Sequence, residues 1–314
     1  MHTLNSEEFS QLLSQWELAK GKKLTAKRKI KRFFKFIFCR LLNYYFSSTH
    51  SIKANSASLK TSSKLLVINN TNKEQSRENS ETLAVILHVF YLDILAEIIE
   101  KIEQIESDYK LYISTHSEIY DEVCELVRGK KVYATIVSYE NVGRDIYPFT
   151  QIMQYVKKNN HKYLIKLHTK KSPHRLSRGT VWREKMLADL LNQDNIDMFI
   201  RCMKRYPIGI VGPTDYTYKL SDKIGPNIKT LKKLSRQINY KFDSNNEFFI
   251  GGSMFFSTIE AVEPILQLNL SIDMFESEPI PVDGTMAHAI ERFFGIACSK
   301  QGLAIVDINF IQSL

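Results

Sequence analysis

Cysteine is scarce in this 314-residue chain: Cys39, Cys124, Cys202 and Cys298 lie far apart, form no C-x-x-C pair and have no histidine at zinc-site spacing. That argues for a reducing compartment, with the thiols as small buried apolar groups. A secretory leader is not expected either. The opening MHTLNSEEF is polar and acidic, with no basic start, apolar core and small-residue cleavage site, so the expected location is the cytoplasm. No run reaches the roughly 20 apolar residues that a membrane-crossing helix needs; the stretch from Phe33 to Phe46 is shorter and is interrupted by Lys35 and Arg40. There is no internal repeat. Apolar content is ample: 44% hydrophobic residues can bury one large core or two modest ones, which excludes a chain disordered throughout.

Carboxylates are absent from residues 20–40, KGKKLTAKRKIKRFFKFIFCR, which hold ten Lys and Arg. The net charge of +9 is therefore local, because 33 basic residues face 34 acidic ones elsewhere. Ile30, Phe33, Phe34, Ile37 and Leu41 recur at helical spacing. Residues 1–47 thus read as a helical arm whose basic amphipathic part, residues 20–46, lies on an anionic inner-membrane surface rather than spanning it. The aromatics gather on one apolar face instead of interleaving as stacking platforms, so nucleic acid is not an expected partner. Residues 48–80, rich in Ser, Asn, Lys and Thr with one apolar patch at Leu65–Ile68, read as a flexible linker.

From Glu81 the pattern changes. LAVILHVF (83–90) has the length and β-branching of a strand buried on both faces, and LDILAEIIEKIEQI after it has apolar residues at three- and four-residue intervals. The alternation repeats: strands at 109–115, 132–137 and 163–167, with helices at 118–127 and 146–158. Such a chain folds as α/β with a mainly parallel central sheet, whose ligands bind beyond the carboxyl ends of the strands. His88, then Ser114 and Thr115, then Asn141 to Asp145, then His168 to Lys171 follow successive strands and should share that edge. Gly143 permits a positive φ, Asp145 is placed to cap the next helix, and Arg144 beside the helix's positive end suits a diphosphate.

In the second half, FFIGGSMFF (248–256) sets Gly251 and Gly252 between apolar residues, which suits either close approach of a ligand or a bulge in a core strand. The loop FESEPIPVDG carries Glu276, Glu278 and Asp283 ahead of a helix on which His288 and Glu291 lie three apart. Trp182 and Arg183 sit either against an acceptor sugar or on a helix packed to the core with Met186 and Leu190.

ENVGRDIYPF, KLHTKKS, the W-R-E at Trp182, FFIGGSMFF and VDGTMAHAIERFFG, in this order and spacing, resemble the rhamnan synthesis protein F family over roughly residues 80–310. The resemblance implies a GT-A-like nucleotide-sugar-binding fold, with residues 81–175 as the nucleotide-sugar half and 176–314 as the acceptor half. It implies a glycosyltransferase of bacterial cell-surface polysaccharide (O-antigen, capsule or rhamnan type), with rhamnose as the first candidate sugar and a lipid-linked oligosaccharide as acceptor. Other polysaccharide-assembly glycosyltransferases are candidate partners. In that setting His88, Ser114, Thr115, Asn141, Gly143 and Asp145 bind the nucleotide. Arg144, His168, Lys170 and Lys171 hold the donor diphosphate. Gly251, Gly252, Trp182, His288 and Glu291 face sugar or acceptor, and Asp283, with Glu278 as runner-up, takes the acceptor proton.

The chain departs from GT-A enzymes where strand four would end in a metal-holding D-x-D. His168-Thr169-Lys170 stands there, so no cofactor is expected and fixed cations are expected to do the metal's work, with magnesium or manganese as the alternative. Two other function classes fit the same residues: a non-catalytic polysaccharide-binding or scaffold protein, and a sugar-phosphate or phosphoryl transferase acting on a polymer precursor.

Overall fold

The computed structural model describes residues 5–20, 64–69, 82–169, 176–277 and 280–314. Strands run β1 Leu65–Asn69, β2 Thr82–Val89, β3 Tyr109–His116, β4 Tyr133–Tyr139, β5 His161–His168, β6 Ile208–Gly212, β7 Thr217–Lys219, β8 Phe248–Ile250, β9 Phe255–Thr258 and β10 Ala304–Asp307. The longer helices are α1 Ser6–Lys20, α2 Leu92–Ile102, α3 Tyr120–Arg128, α4 Ile146–Val156, α5 Leu176–Leu191, α6 Gln193–Arg205, α7 Ile228–Gln237 and α8 Met286–Lys300.

Eight strands form one sheet in the order β1-β4-β3-β2-β5-β9-β6-β10, and β7 and β8 form a separate antiparallel ribbon. Strands β4, β3, β2 and β5 are mutually parallel, as their apolar runs and intervening helices require. β9 runs antiparallel between β5 and β6, and β10 is parallel to β6. Successive residues of β2 point to opposite faces: Leu83, Val85, Leu87 and Val89 join a core with α2, α3, α5 and α6, while Ala84 and Ile86 join one with α4, α7 and α8. The result is a three-layer α/β fold with the sheet as its middle layer.

Three local readings change. The apolar patch at 65–68, expected in a linker, is the edge strand β1, paired antiparallel with β4 from Leu65↔Val137 to Asn69↔Tyr133. FFIGGSMFF is neither one strand nor a bulge: β8 and β9 belong to different sheets and a turn joins them, with Gly252 at φ +95° and Ser253 at +57°. The first helix is part of the domain. Phe9 is 2% exposed and stacks on Tyr206 with centroids 4.9 Å apart, Trp16 meets Phe248 and Phe310, and Lys20 pairs with Asp307 at 2.5 Å. The rest of the proposed membrane arm, residues 21–46, lies outside the described residues. Among the described residues no helix is long and apolar enough to cross a membrane. Cys124 and Cys298 are free and buried, and Cys202 is half-buried.

Candidate functional site

From β2 the chain builds outward through β3 to β4, then returns to place β5 on the other side of β2. The crevice at that switch point, beyond the carboxyl ends of β2 and β5, is where open α/β sheets bind ligands. His88 and His168 are register partners there. Thr169 knits the two strand ends together: its N–H donates to the His88 carbonyl at 2.9 Å, and its Oγ1 accepts from Phe90 N at 2.7 Å and Tyr91 N at 2.9 Å. A cavity of about 420 Å³ opens at this point. The first half lines it with His88, Asn141, Arg144, Asp145 and His168, and the second half adds Gly252, Ser253, His288 and Glu291.

Beneath the cavity lies a buried ion pair. Strand parity puts His88, Lys166 and His168 on the face covered by α4 and α8. Lys166, 1% exposed, donates to Asp145 Oδ2 at 2.5 Å, to the Ser253 carbonyl at 3.0 Å and to Ser253 Oγ at 2.8 Å. Its ammonium also lies 5.3 Å from the Phe149 ring and 5.8 Å from that of Phe294. Burial alone would raise the Asp145 carboxyl, but Lys166, with a contribution from His168, outweighs it and holds the group well below the usual carboxylate range. Asp145 thus stands at the N-cap position of α4 without capping it; its side chain goes to Lys166 instead. The sequence carries a signal for this lysine, a single charge within the apolar run YLIKL at 163–167.

The imidazoles are tied in place. His88 Nδ1 is 3.0 Å from Ser114 Oγ, and its pKa is pushed down to about 3, chiefly by burial and further by His168 and Lys166 against the pull of Asp145. It is neutral near pH 7. His168 Nε2 donates to the Gly252 carbonyl at 2.7 Å. Across the cavity, Arg144 Nη1 donates to His288 Nε2 at 3.1 Å, which leaves the His288 proton on Nδ1, 2.7 Å from Thr285 Oγ1. Glu291 Oε1 accepts from Gly252 N at 2.7 Å. The Gly252–Ser253 turn is therefore held from three sides, by His168, Lys166 and Glu291. Gly143 and Arg144 are consecutive left-handed residues, at φ +70° and +57°. A side chain at Gly143 would start 2.6 Å from Tyr147 Cβ and 2.8 Å from the Phe275 ring.

Other expected site residues fall elsewhere. Ser114 and Thr115 are fully buried behind the cavity, where Thr115 Oγ1 donates to the Val89 carbonyl at 3.0 Å. Gly251 packs against Tyr218 and does not line the cavity. Asp283 is also not among the lining residues: Oδ1 accepts from Asn227 Nδ2 at 3.1 Å and Gly284 N at 2.8 Å, and Oδ2 from Arg292 Nη2 at 3.3 Å. The cap of α8 is Thr285, two residues on. Glu278, Lys170, Lys171 and the side chain of Trp182 lie outside the described residues; Arg183 pairs with Glu97 at 3.2 Å.

Sequence reasoning missed Phe90 and Tyr91, which also line the cavity. Phe90 is 39% exposed, with Tyr91 edge-on at 4.8 Å and His116 at 5.4 Å. It offers a flat apolar surface at the mouth. The site thus combines hydrogen-bond donors, the neutral imidazole of His88 and an aromatic wall. Among the described residues, no cluster of His, Cys, Asp and Glu is placed to hold a metal ion. The two carboxylates at the cavity are committed, Asp145 to Lys166 and Glu291 to Gly252 N, so these residues do not fit a D-x-D-type metal site.

A sequence model described as rhamnan synthesis protein F matches residues 44–302. The chain belongs to the rhamnan synthesis protein F family. Its relatives include the uncharacterized protein WxcX of Xanthomonas campestris pv. campestris, from two strains, each 34% identical over 231 residues. That alignment covers 73% of this chain and 33% of WxcX, so the chain spans about a third of the length of these relatives. The description of the rhamnan synthesis protein F family names rhamnan synthesis. The family match begins well before residue 80 and takes in β1 as well as every element around the cavity.

Proposed function

We propose that the protein is a glycosyltransferase that moves a sugar, with rhamnose as the first candidate, from a nucleotide-diphosphate donor to a lipid-linked surface polysaccharide. The observation that carries this reading is the cavity at the switch point, where Arg144, Asn141, His88 and His168 from the first half meet His288 and Glu291 from the second. The nucleotide lies against Phe90 and Asn141, and base stacking on such a ring contributes about 1–3 kcal/mol. Arg144, His168, Lys170 and Lys171 hold the diphosphate and stabilise the charge that develops on it as the glycosidic bond breaks.

Transfer with inversion needs a base for the acceptor hydroxyl. Glu291, whose Oε1 accepts from Gly252 N at 2.7 Å and whose Oε2 lies 3.6 Å from Arg292 Nη1, is the cavity carboxylate not bound to Lys166 and takes the role here, with His288 beside it. Asp283, paired to Arg292, fastens the loop before α8, and Glu278 remains a candidate beyond the described residues. The reaction in this reading draws on protein cations rather than a divalent ion. Residues 20–46 keep the enzyme on the inner face of the cytoplasmic membrane.

The test is incubation with a panel of nucleotide sugars and a lipid-linked acceptor, with and without chelator. Release of a nucleoside diphosphate that persists with chelator is the expected result, abolished in Glu291→Gln and retained in Asp283→Asn. Glycan binding without nucleotide release would make the protein a scaffold, and release of a nucleoside monophosphate would make it a sugar-phosphate transferase.

A further inference from the structure

Helix α7 carries two opposed stripes. Leu231, Leu234, Ser235 and Ile238 recur at intervals of three and four residues and are buried against the core. Lys229, Lys232, Lys233 and Arg236 repeat the same spacing on the opposite side and are all exposed. Lys223 and Lys241 flank the helix, and no Asp or Glu occurs anywhere from residue 223 to 242. Among the described residues, no carboxylate pairs with any of the four stripe cations.

The stripe is one helix away from the cavity. The segment leading into α7 is tied to the start of α8, with Arg292 Nε donating to the Lys223 carbonyl at 2.8 Å and Asn227 Nδ2 to Asp283 at 3.1 Å. The start of α8 supplies Ala287, His288 and Glu291 to the cavity lining.

We propose that this basic face of α7 is a docking surface for an anionic phospholipid bilayer, separate from residues 20–46. Charge complementarity carries the assignment: four exposed cations on one face of the helix, with no carboxylate paired to them among the described residues, match a sheet of phosphate headgroups. The apolar stripe is committed to the core, so contact here is electrostatic and does not insert, unlike the mode expected of residues 20–46. The purpose of the surface, bringing the cavity to a lipid-linked acceptor, rests on the function proposed above; the surface itself does not.

The experiment measures binding of full-length protein to vesicles of phosphatidylglycerol and phosphatidylcholine, and to pure phosphatidylcholine, over a range of salt. Residues 20–46 add a constant background, so wild type is compared with two full-length variants, K229Q/K232Q/K233Q/R236Q and K229E/K232E/K233E/R236E. The expected result is a loss of about tenfold or more in apparent affinity for the acidic vesicles with the Gln set and a further loss with the Glu set. The salt dependence should be shallower and the melting temperature unchanged.

Unaltered affinity in both variants overturns the proposal, as does equal wild-type binding to neutral and acidic vesicles. Tighter binding to duplex DNA than to acidic vesicles at the same salt also overturns it, by making the partner a nucleic acid. Sugar transfer to a water-soluble acceptor, measured alongside, reports on the enzymatic reading independently of the vesicle result.

Discussion

Lys166 decides how the cavity is built, because one ammonium joins the strand, the 141–145 loop through Asp145 and the Gly252 turn through Ser253. A buried pair of this kind adds little net stability, but breaking it leaves a buried charge without compensation. Lys166→Met should therefore cost about 3–5 kcal/mol in urea denaturation, and adding Asp145→Leu should recover at least half of that loss. Equal instability of the single and double variants would show that the lysine matters only as packing.

His88 makes a second prediction at this scale. Its folded pKa of about 3 lies below the unfolded value, so the unfolded chain takes up the proton first and stability falls as pH drops from about 6.5 towards 3. At pH 5 the loss is about 2 kcal/mol. The depressed Asp145 carboxyl acts in the same direction only further down, below the ordinary Asp value. His88→Gln should flatten the stability profile between pH 7 and pH 5; an unchanged slope there would mean that other groups set it.

Among the elements, α8 bears the tightest constraint. It crosses β8 so closely that a methyl group on Gly295 would fall inside contact distance of the Phe248 carbonyl oxygen, and backbone cannot move aside as a side-chain tip can. Gly295→Ala should destabilise by about 3 kcal/mol in chemical denaturation, although alanine is the better helix former at an unconstrained site. The same helix places His288 and Glu291, so the variant should lose the proposed transfer activity with its stability. A neutral outcome would mean that α8 can slide on β8.

At the scale of the whole molecule, α1 and β1 extend the domain towards the N-terminus. Phe9 lies between Tyr206 and Phe310, elements far away in sequence. Phe9→Ala should therefore cost about 3–5 kcal/mol, as for other buried aromatic truncations, read as a drop in melting temperature. A change within error would return the first 20 residues to the role of a detachable arm. Any truncation meant to probe the proposed membrane arm should start after Lys20, since its ion pair with Asp307 is part of the domain.

The parallel α/β core is legible in the local pattern, because continuous apolar runs followed by helical periodicity leave few alternatives once strand handedness is fixed. The same pattern brings His88, Asn141, Arg144 and His168 to one edge, since each lies at or just after a strand end and parallel strands end together. The remainder is set by long-range contacts. Which strands are neighbours, and so where the crevice lies, depends on long-range pairing that local pattern does not encode, and the antiparallel β9 depends on a turn at Gly252. The fate of each charge was decided the same way. Asp145 and Asp283 look alike as carboxylates ahead of helices, but only folding reveals that Lys166 claims one at the cavity floor and Arg292 claims the other outside it.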